Sequence, residues 1–554
     1  MQTARLLSGN EAIAHGAYEA GVRVGCGYPG TPSTEILEWL DHYPGVYTEW
    51  SVNEKVALEV GYGAALAGGR ALVTMKHVGV NVAADPLFTA VYAGVKAGLV
   101  VVTADDPSMH SSQNEQDNRN YAVAAKMPMF EPSDSQEARE QVGWAFDLSE
   151  EFDTPVFLRV TTRLSHSKSL LADAVSLASP RRTRPLAPGF DPDPAKYVMI
   201  PGHARRRREA LAARWQRLTD AVETHPANRI EPGTSGVGVI TSGIPYTYVK
   251  EVMPDAAVLK LGIVHPLPRR MIEDFAASVD TLYVVEELDP VIETQLRAWG
   301  IDCHGKDTFP AIGEFSPDVL RASLGLAPAT TKAPAVDVAP RRPGLCTGCP
   351  HDHVFTELRR TGMVISGDIG CYSLGVLPPY SAMDTLLDMG ASLTMAQGMD
   401  VVLGHEGGQK VAAVIGDSTF AHSGLTGLLN AVWNKRDGLY VVLDNGTTAM
   451  TGMQPNPLSG LRIGREEAPS VDYLLLAKAF NIPDAHVLLV DAYDADAISA
   501  GIAQLAGRDG VRLLVVVGLC LIEGRKLKKT GHLADTKEHR RTMLTLTPKE
   551  PAHA

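Results

Sequence analysis

The sequence is poor in the features that mark several protein classes. No apolar run approaches the roughly 18–20 residues that cross a bilayer as a helix; residues 513–521, among the longest, read as a strand. The first eleven residues hold one arginine and no long apolar stretch, so no secretory signal is expected. Six cysteines in 554 residues are too few for a disulfide scaffold. Basic charge is short as well. Against 64 Asp+Glu stand 51 Lys+Arg, a net charge of −13 that disfavours wholesale binding to nucleic-acid phosphates. No internal repeat stands out. What is present is an ordinary globular composition, 45% apolar and 21% charged, long enough for three or four domains at roughly 150 residues each. The expectation is a cytoplasmic α/β protein that engages neither nucleic acid nor membrane.

Over residues 1–168, short apolar runs alternate with helical stretches, the pattern of a parallel sheet covered on both faces. Ser8-Gly9-Asn10-Glu11 is a capping box that opens a helix ending near Gly21. Strands are expected at 22–27, 70–75, 99–103 and 155–161, with helices at 53–68 and 136–152. Residues 169–234 read as a linker containing a helix at 203–223, whose consecutive Arg205, Arg206, Arg207 and Arg208 suit a solvated face. Alternation resumes over 235–326 in a smaller α/β domain, with strands at 237–241, 257–261 and 281–285. Residues 327–343, with four prolines, form a second linker. The last large domain spans 344–524, with strands at 363–366, 410–415, 439–443, 486–490 and 512–517. Residues 525–554 read as a loosely attached basic tail.

Gly416-Asp417-Ser418 follows one apolar run and Asp444-Asn445 follows another. Both acidic positions therefore stand at the carboxyl ends of strands, where open α/β sheets take ligands. An aspartate and an asparagine oxygen there can hold a magnesium ion that bridges phosphates; equally, Asp417 and Asp444 can be helix N-caps. Cys346 and Cys349 are spaced C-x2-C, Cys371 lies in a Gly-Cys turn, and Cys520 ends a strand. Four thiolates suit a [4Fe–4S] cluster or a structural zinc. Cys26 and Cys303 are isolated and read as buried structural thiols. Ser51-Val52-Asn53-Glu54 has capping-box spacing, in which Glu54 would only reach back to a backbone N–H.

Gly-Asp, then 26 residues, then Asp-Asn matches the thiamine-diphosphate signature. The strings "VIGDSTFAHSG" at 414–424 and "LDNGTTAMTGMQPNP" at 443–457 resemble the alpha subunit of indolepyruvate:ferredoxin oxidoreductases. So do "SGNEAIAHGA", "GYPGTPSTEI", "EWSVNEKVALEVGYGAALAG", "VTMKHVGVN", "ADDPSMHSSQNEQDNRNYA", "CTGCPH" and "GDIGCYSLG", in the same order from Leu6 to about Cys520. The resemblance implies a thiamine-diphosphate-binding fold with two large parallel-sheet domains, one for the pyrimidine and one for the pyrophosphate, plus a smaller transketolase-C-like α/β domain. It implies magnesium on Asp417, Asn445 and the Thr447 carbonyl. Gly416, Ser418 and residues 448–454, Met450 and Thr451 among them, would lie against the cofactor.

By the same resemblance Glu54 is the buried acid against the aminopyrimidine ring, where proton exchange activates the thiazolium C2. Thr31, in a turn resembling a substrate loop, would donate to the substrate carboxylate, with His77, His110 and Arg119 as further candidates. Cys346, Cys349, Cys371 and Cys520 become ligands of a [4Fe–4S] cluster. The implied reaction is coenzyme A-dependent oxidative decarboxylation of aryl-2-oxoacids such as indolepyruvate to arylacetyl-CoA and CO2, with a smaller beta subunit and ferredoxin as partners. The two-cluster ferredoxin-like domain that usually follows is not expected, because no cysteine follows Cys520. The basic tail offers a surface for an acidic ferredoxin. Two other readings stay open: a non-oxidative thiamine-diphosphate 2-oxoacid decarboxylase with structural zinc, and an idle scaffold subunit.

Overall fold

The runs ALVTMK, LVVVTAD and VFLRVT form neighbouring parallel strands, Ala71–Lys76, Leu99–Asp105 and Val156–Thr161, with every residue buried. Apolar runs without polar alternation are stable only in a sheet covered on both faces. These strands lie in the first of two units, Met1–Pro334 and Ala335–Ala554, into which the computed structural model divides the chain; the described residues are 5–171, 188–329, 343–406 and 410–530. The first unit's main sheet has seven strands, in the order Ile263–His265, Met129–Phe130, Val156–Thr161, Leu99–Asp105, Ala71–Lys76, Val24–Gly27, Tyr47–Trp50. All pairs are parallel except the first. The chain leaves Val24–Gly27 outward to Tyr47–Trp50, then returns to the other side as Ala71–Lys76. The order therefore reverses between Val24–Gly27 and Ala71–Lys76, and such a reversal opens a crevice at the carboxyl ends of the strands.

A second sheet of the same unit runs Thr281–Val285, Val237–Ser242, Ala257–Leu261, Arg229–Glu231, the last strand antiparallel. The expected capping box is present: Ser8 Oγ accepts from Glu11 N at 3.2 Å and Ser8 N donates to Glu11 Oε2 at 2.6 Å, opening the helix Gly9–Glu19.

Two expectations about arginines are corrected, one for the run at 205–208 and one for Arg119. Where described, residues 169–234 contain the helix Pro201–Val222, which buries Leu211, Leu218 and Val222. Within its arginine run, Arg205, Arg206 and Arg208 are exposed, but Arg207 binds the Tyr92 and Ala93 carbonyls and Asp153 at 2.8–3.0 Å. Those carbonyls end the helix Ala84–Ala93, where a cation complements the helix dipole.

Arg119 is the second correction. It is 1% exposed, and it binds Asp117 at 2.5 Å, Glu286 at 2.6 Å and the Glu287 and Asp289 carbonyls at 2.7 and 2.9 Å. Beside it, Arg159 pairs with Asp105 at 2.7 Å and with Glu131. The expected substrate donor is instead a strut joining the two sheets of its unit. Arg119→Met should leave Glu286 buried without this cation and Asp117 with only Arg159, 3.7 Å away, and cost about 3–5 kcal/mol. Urea unfolding of the variant measures this; a loss under about 1 kcal/mol would refute the strut.

The second unit carries a six-stranded, wholly parallel sheet: Thr385–Leu386, Val364–Gly367, Val411–Gly416, Gly438–Asp444, Val511–Val517, Val487–Asp491. Alternate residues face two separate cores, with Ile415, Val442 and Val515 on one side and Val414, Val441 and Leu514 on the other. Here the order reverses between Val364–Gly367 and Val411–Gly416. The expected loose tail begins later than residue 525, because Leu521–Lys529 is a helix with Leu527 buried and Glu523 paired to Arg465 at 2.5 Å. Residues 531–554 of that tail, and 330–342 of the second linker, lie outside the described residues. Among the described residues no helix is long and apolar enough to cross a membrane.

Candidate active site

Three strands of the first unit bring chemistry to the carboxyl edge of its seven-stranded sheet. Glu54 follows Tyr47–Trp50 and is 5% exposed. It does not cap: Asn53 is the N-cap, its side chain accepting from Val56 N at 2.9 Å, while Ser51 Oγ donates to Glu49 at 2.7 Å. The capping-box reading of Glu54 is thereby overturned. Its carboxyl instead lies against Gly79, where a Cβ would stand 2.6 Å from Oε1. Only glycine leaves that space to the acid.

Thr31 stands half-buried in the turn after Val24–Gly27, on one side of the reversal point. Lys76 and His77 stand on the other, at the end of Ala71–Lys76. The two sides touch, since a Cβ on Gly30 would lie 2.9 Å from the Lys76 Cβ. His77 is fully buried with Nε2 3.3 Å from the Asn114 carbonyl, and burial lowers its pKa. His110 is outside this group, half-exposed and 3.2 Å from Glu314. Lys76 escaped the reading of the sequence. It looks like the last residue of a strand, and only the sheet order reveals that it flanks the crevice.

In the second unit, Asp417 and Asp444 end the paired strands Val411–Gly416 and Gly438–Asp444. Neither is an N-cap: the helical turn Asp417–Thr419 is capped by Gly416 without a side-chain bond, and Asp444 accepts from Gly446 N at 2.9 Å. Asp417 is 2% exposed and its side chain accepts from Asn456 Nδ2 at 2.9 Å. Burial, with Asp444 close by, pushes the Asp417 carboxyl well above its ordinary range. Burial likewise pushes Asp444 to about 6. Two buried carboxyls raised in this way fit a divalent cation, whose charge would hold both ionised.

The asparagine beside them is preset. Burial pushes His351 down to about 4, so the ring is neutral and Nε2 accepts from Asn445 Nδ2 at 3.2 Å. That bond turns Asn445 Oδ1 toward Thr447 N at 3.1 Å, keeping an oxygen on the loop side. Thr448 Oγ1 donates to Ser418 Oγ at 2.8 Å, tying the two strand-end loops together. Residues 448–454 close on themselves through Thr448 N to the Gln454 carbonyl at 2.9 Å and Thr451 Oγ1 to Gln454 Oε1 at 2.6 Å, with Met450 half-exposed. His351 and Asn456 were not singled out from the sequence, because each acts through a partner remote in the chain.

The four expected cysteines share one cavity of about 540 Å³, solvent at its mouth included, lined also by His351 and Asn445. Cys349 N donates to the Cys346 carbonyl at 2.9 Å, and Cys520 N to the Asn445 carbonyl at 3.0 Å. Burial, with the neighbouring cysteines, pushes the thiol of Cys349 up to about 12 and that of Cys371 to about 11. Among the described residues no three His, Cys, Asp or Glu side chains stand as a ready-made metal site. The donor set, four sulfurs around one cavity, is nonetheless chemically that of an iron–sulfur cluster or zinc. Cys26 and Cys303 are buried, as expected of structural thiols, Cys26 donating to the Ala57 carbonyl at 3.1 Å.

Residues 15–184 match the family "Pyruvate flavodoxin/ferredoxin oxidoreductase, thiamine diP-bdg", and residues 368–516 match "Thiamine pyrophosphate enzyme, C-terminal TPP binding domain". Over 96% of its length the chain is 40% identical to the indolepyruvate oxidoreductase subunit IorA of Archaeoglobus fulgidus, covering 89% of that protein. The chain belongs to the IorA family. The IorA of Methanothermobacter thermautotrophicus is 42% identical over 86% of this chain and 80% of its own length. That of Pyrococcus abyssi is 39% identical over 90% and 85%. IorA membership makes the chain an oxidoreductase subunit with thiamine-diphosphate-binding domains, as the sequence strings imply, and both families' matches fall on the parallel sheets.

Proposed function

We propose that the chain is the subunit that carries out oxidative decarboxylation of aryl-2-oxoacids of the indolepyruvate type, giving arylacetyl-CoA and CO2 and passing electrons to ferredoxin. The substrate follows the name of its relatives, indolepyruvate oxidoreductase. When bound, thiamine diphosphate supplies the carbon nucleophile for the keto group, magnesium the counter-charge for the diphosphate, and an iron–sulfur cluster a one-electron acceptor.

The residues divide the remaining work. Asp417, Asn445 and the Thr447 carbonyl hold magnesium, while Gly416, Ser418, Met450 and Thr451 line the cofactor. Glu54, kept buried by Gly79, exchanges a proton with the aminopyrimidine ring. Thr31 presents a donor to the substrate, and His77, whose Nε2–H is committed to the Asn114 carbonyl, offers it an acceptor. Cys346, Cys349, Cys371 and Cys520 hold a [4Fe–4S] cluster. A smaller partner subunit, coenzyme A and ferredoxin complete the system.

The observation that carries the oxidative reading is the place of the cysteine cavity. It is lined by Asn445 and His351, and Cys520 is hydrogen-bonded to Asn445 itself. A purely structural zinc has no need to abut the cofactor loop, whereas an electron acceptor does. Anaerobic purification with iron, sulfide, zinc and thiamine analysis tests this. The proposal expects about four irons and four sulfides per chain at these cysteines, with broad visible absorption. Stoichiometric zinc without iron would replace it with the non-oxidative reading.

A further inference from the structure

Lys76 is not accounted for by fold or cofactor. It ends the strand Ala71–Lys76 at the point where the sheet order reverses, and its Cβ is in close contact with the Gly30 backbone, one residue from Thr31. Its side chain is 9% exposed, yet its amine bonds only neutral groups, the Ser111 carbonyl at 2.7 Å and Ser111 Oγ at 3.4 Å. Asp106, the acid whose charge acts on the amine, makes no hydrogen bond to it. Its oxygens accept from Ser111 N at 2.8 Å, Ser112 Oγ at 2.5 Å and Thr162 Oγ1 at 2.6 Å. An ammonium carries three donors, so one N–H of Lys76 is uncommitted among the described residues.

A second, independent sign of a ligand lies next to it. His77 is fully buried, and its Nδ1 has no hydrogen-bond partner among the described residues. With Nε2–H donating to the Asn114 carbonyl, that nitrogen is an acceptor without a donor. Buried acceptors of this kind are costly unless a bound donor, such as a water or a hydroxyl of the ligand, satisfies them; the carboxylate itself is left to the lysine. Burial also holds the Lys76 amine at about 8, below the ordinary lysine range, a shift that a bound carboxylate would reverse.

We infer that Lys76 is the cation that receives the carboxylate of the 2-oxoacid, across the sheet's reversal point from Thr31. The inference rests on the function proposed above and adds a substrate-binding residue to it. Lysine is suited to the task because a point charge with rotating donors accepts a carboxylate from several angles. Its bond to the Ser111 carbonyl anchors the amine in place before the substrate arrives.

The test uses the complex of the full chain with its partner subunit, loaded with thiamine diphosphate and magnesium, and compares wild type, Lys76→Met and Lys76→Gln. In steady state with indolepyruvate, coenzyme A and a dye acceptor, both variants should raise KM for the 2-oxoacid about 10–100-fold. The kcat should stay within a few-fold, the pattern of lost uniform binding. Calorimetry supplies a readout apart from turnover: wild type should prefer an unreactive aryl-2-hydroxy acid to its methyl ester, and the variants should lose that preference. Lys76→Gln retains a donor for the Ser111 carbonyl, so it decides the matter if Lys76→Met does not fold. An unchanged KM for the 2-oxoacid, a fall in kcat alone, or a KM rise confined to coenzyme A would each overturn the inference. Absence of turnover in the wild-type complex would instead refute the proposed function.

Discussion

Asp417→Ala should abolish magnesium-dependent binding of thiamine diphosphate. Asp417 stands at the end of Val411–Gly416, and removing it takes away a metal ligand and the negative charge that the cation would hold ionised. Loss of an outer partner costs about 10–100-fold in metal affinity, and loss of a direct ligand should exceed that. Asn456→Ala supplies the internal scale, because the Asn456 side chain touches the site through Asp417, its Nδ2 donating there while its Oδ1 accepts from Leu458 N at 2.9 Å. The cofactor-free variant should not be less stable than the cofactor-free parent. Without the cation, two neighbouring buried carboxyls are an electrostatic cost that the substitution relieves. Calorimetric titration with cofactor and magnesium measures the first effect and thermal unfolding the second. Wild-type affinity in Asp417→Ala would remove the magnesium assignment.

Glu54→Gln should keep the fold and the bound cofactor while slowing the C2 proton exchange of that cofactor by about 10²–10⁴-fold, the usual range for a positioned acid or base. The glutamine fits the same space against Gly79 and loses only the ionisable proton. No stability loss from a broken cap is expected, since the cap belongs to Asn53. Proton exchange followed by NMR in the loaded protein is the measurement. A wild-type rate would mean that Glu54 does no proton chemistry.

The large parallel sheets were legible because their strands are unbroken apolar runs, as in LVVVTAD at Leu99–Asp105. The places of Asp417 and Asn445 were legible for a related reason: each follows such a run at once, so the strand end fixes its position. What escaped depended on distant partners. Ile263–His265 and Met129–Phe130 are too short to show alternation, and they are strands only through pairing: the first with the second, and the second with Val156–Thr161. Arg119 sits in a string resembling a catalytic family, yet Glu286, which is 167 residues away, claims it. The Ser51-to-Glu54 spacing fitted a capping box, but Asn53 is nearer the helix and takes the cap. Lys76 became notable only when the sheet order put it beside the Gly30–Thr31 turn.

The central claim is that this chain, with its partner subunit, oxidises an aryl-2-oxoacid at thiamine diphosphate. Its most direct test is ferredoxin reduction by the anaerobically purified wild-type complex given indolepyruvate and coenzyme A. The account predicts reduction that requires both compounds, yields one arylacetyl-CoA and one CO2 per two electrons, and disappears in Glu54→Gln. Decarboxylation to the aldehyde without ferredoxin reduction, or no reaction from a complex that holds the cofactor, would contradict it.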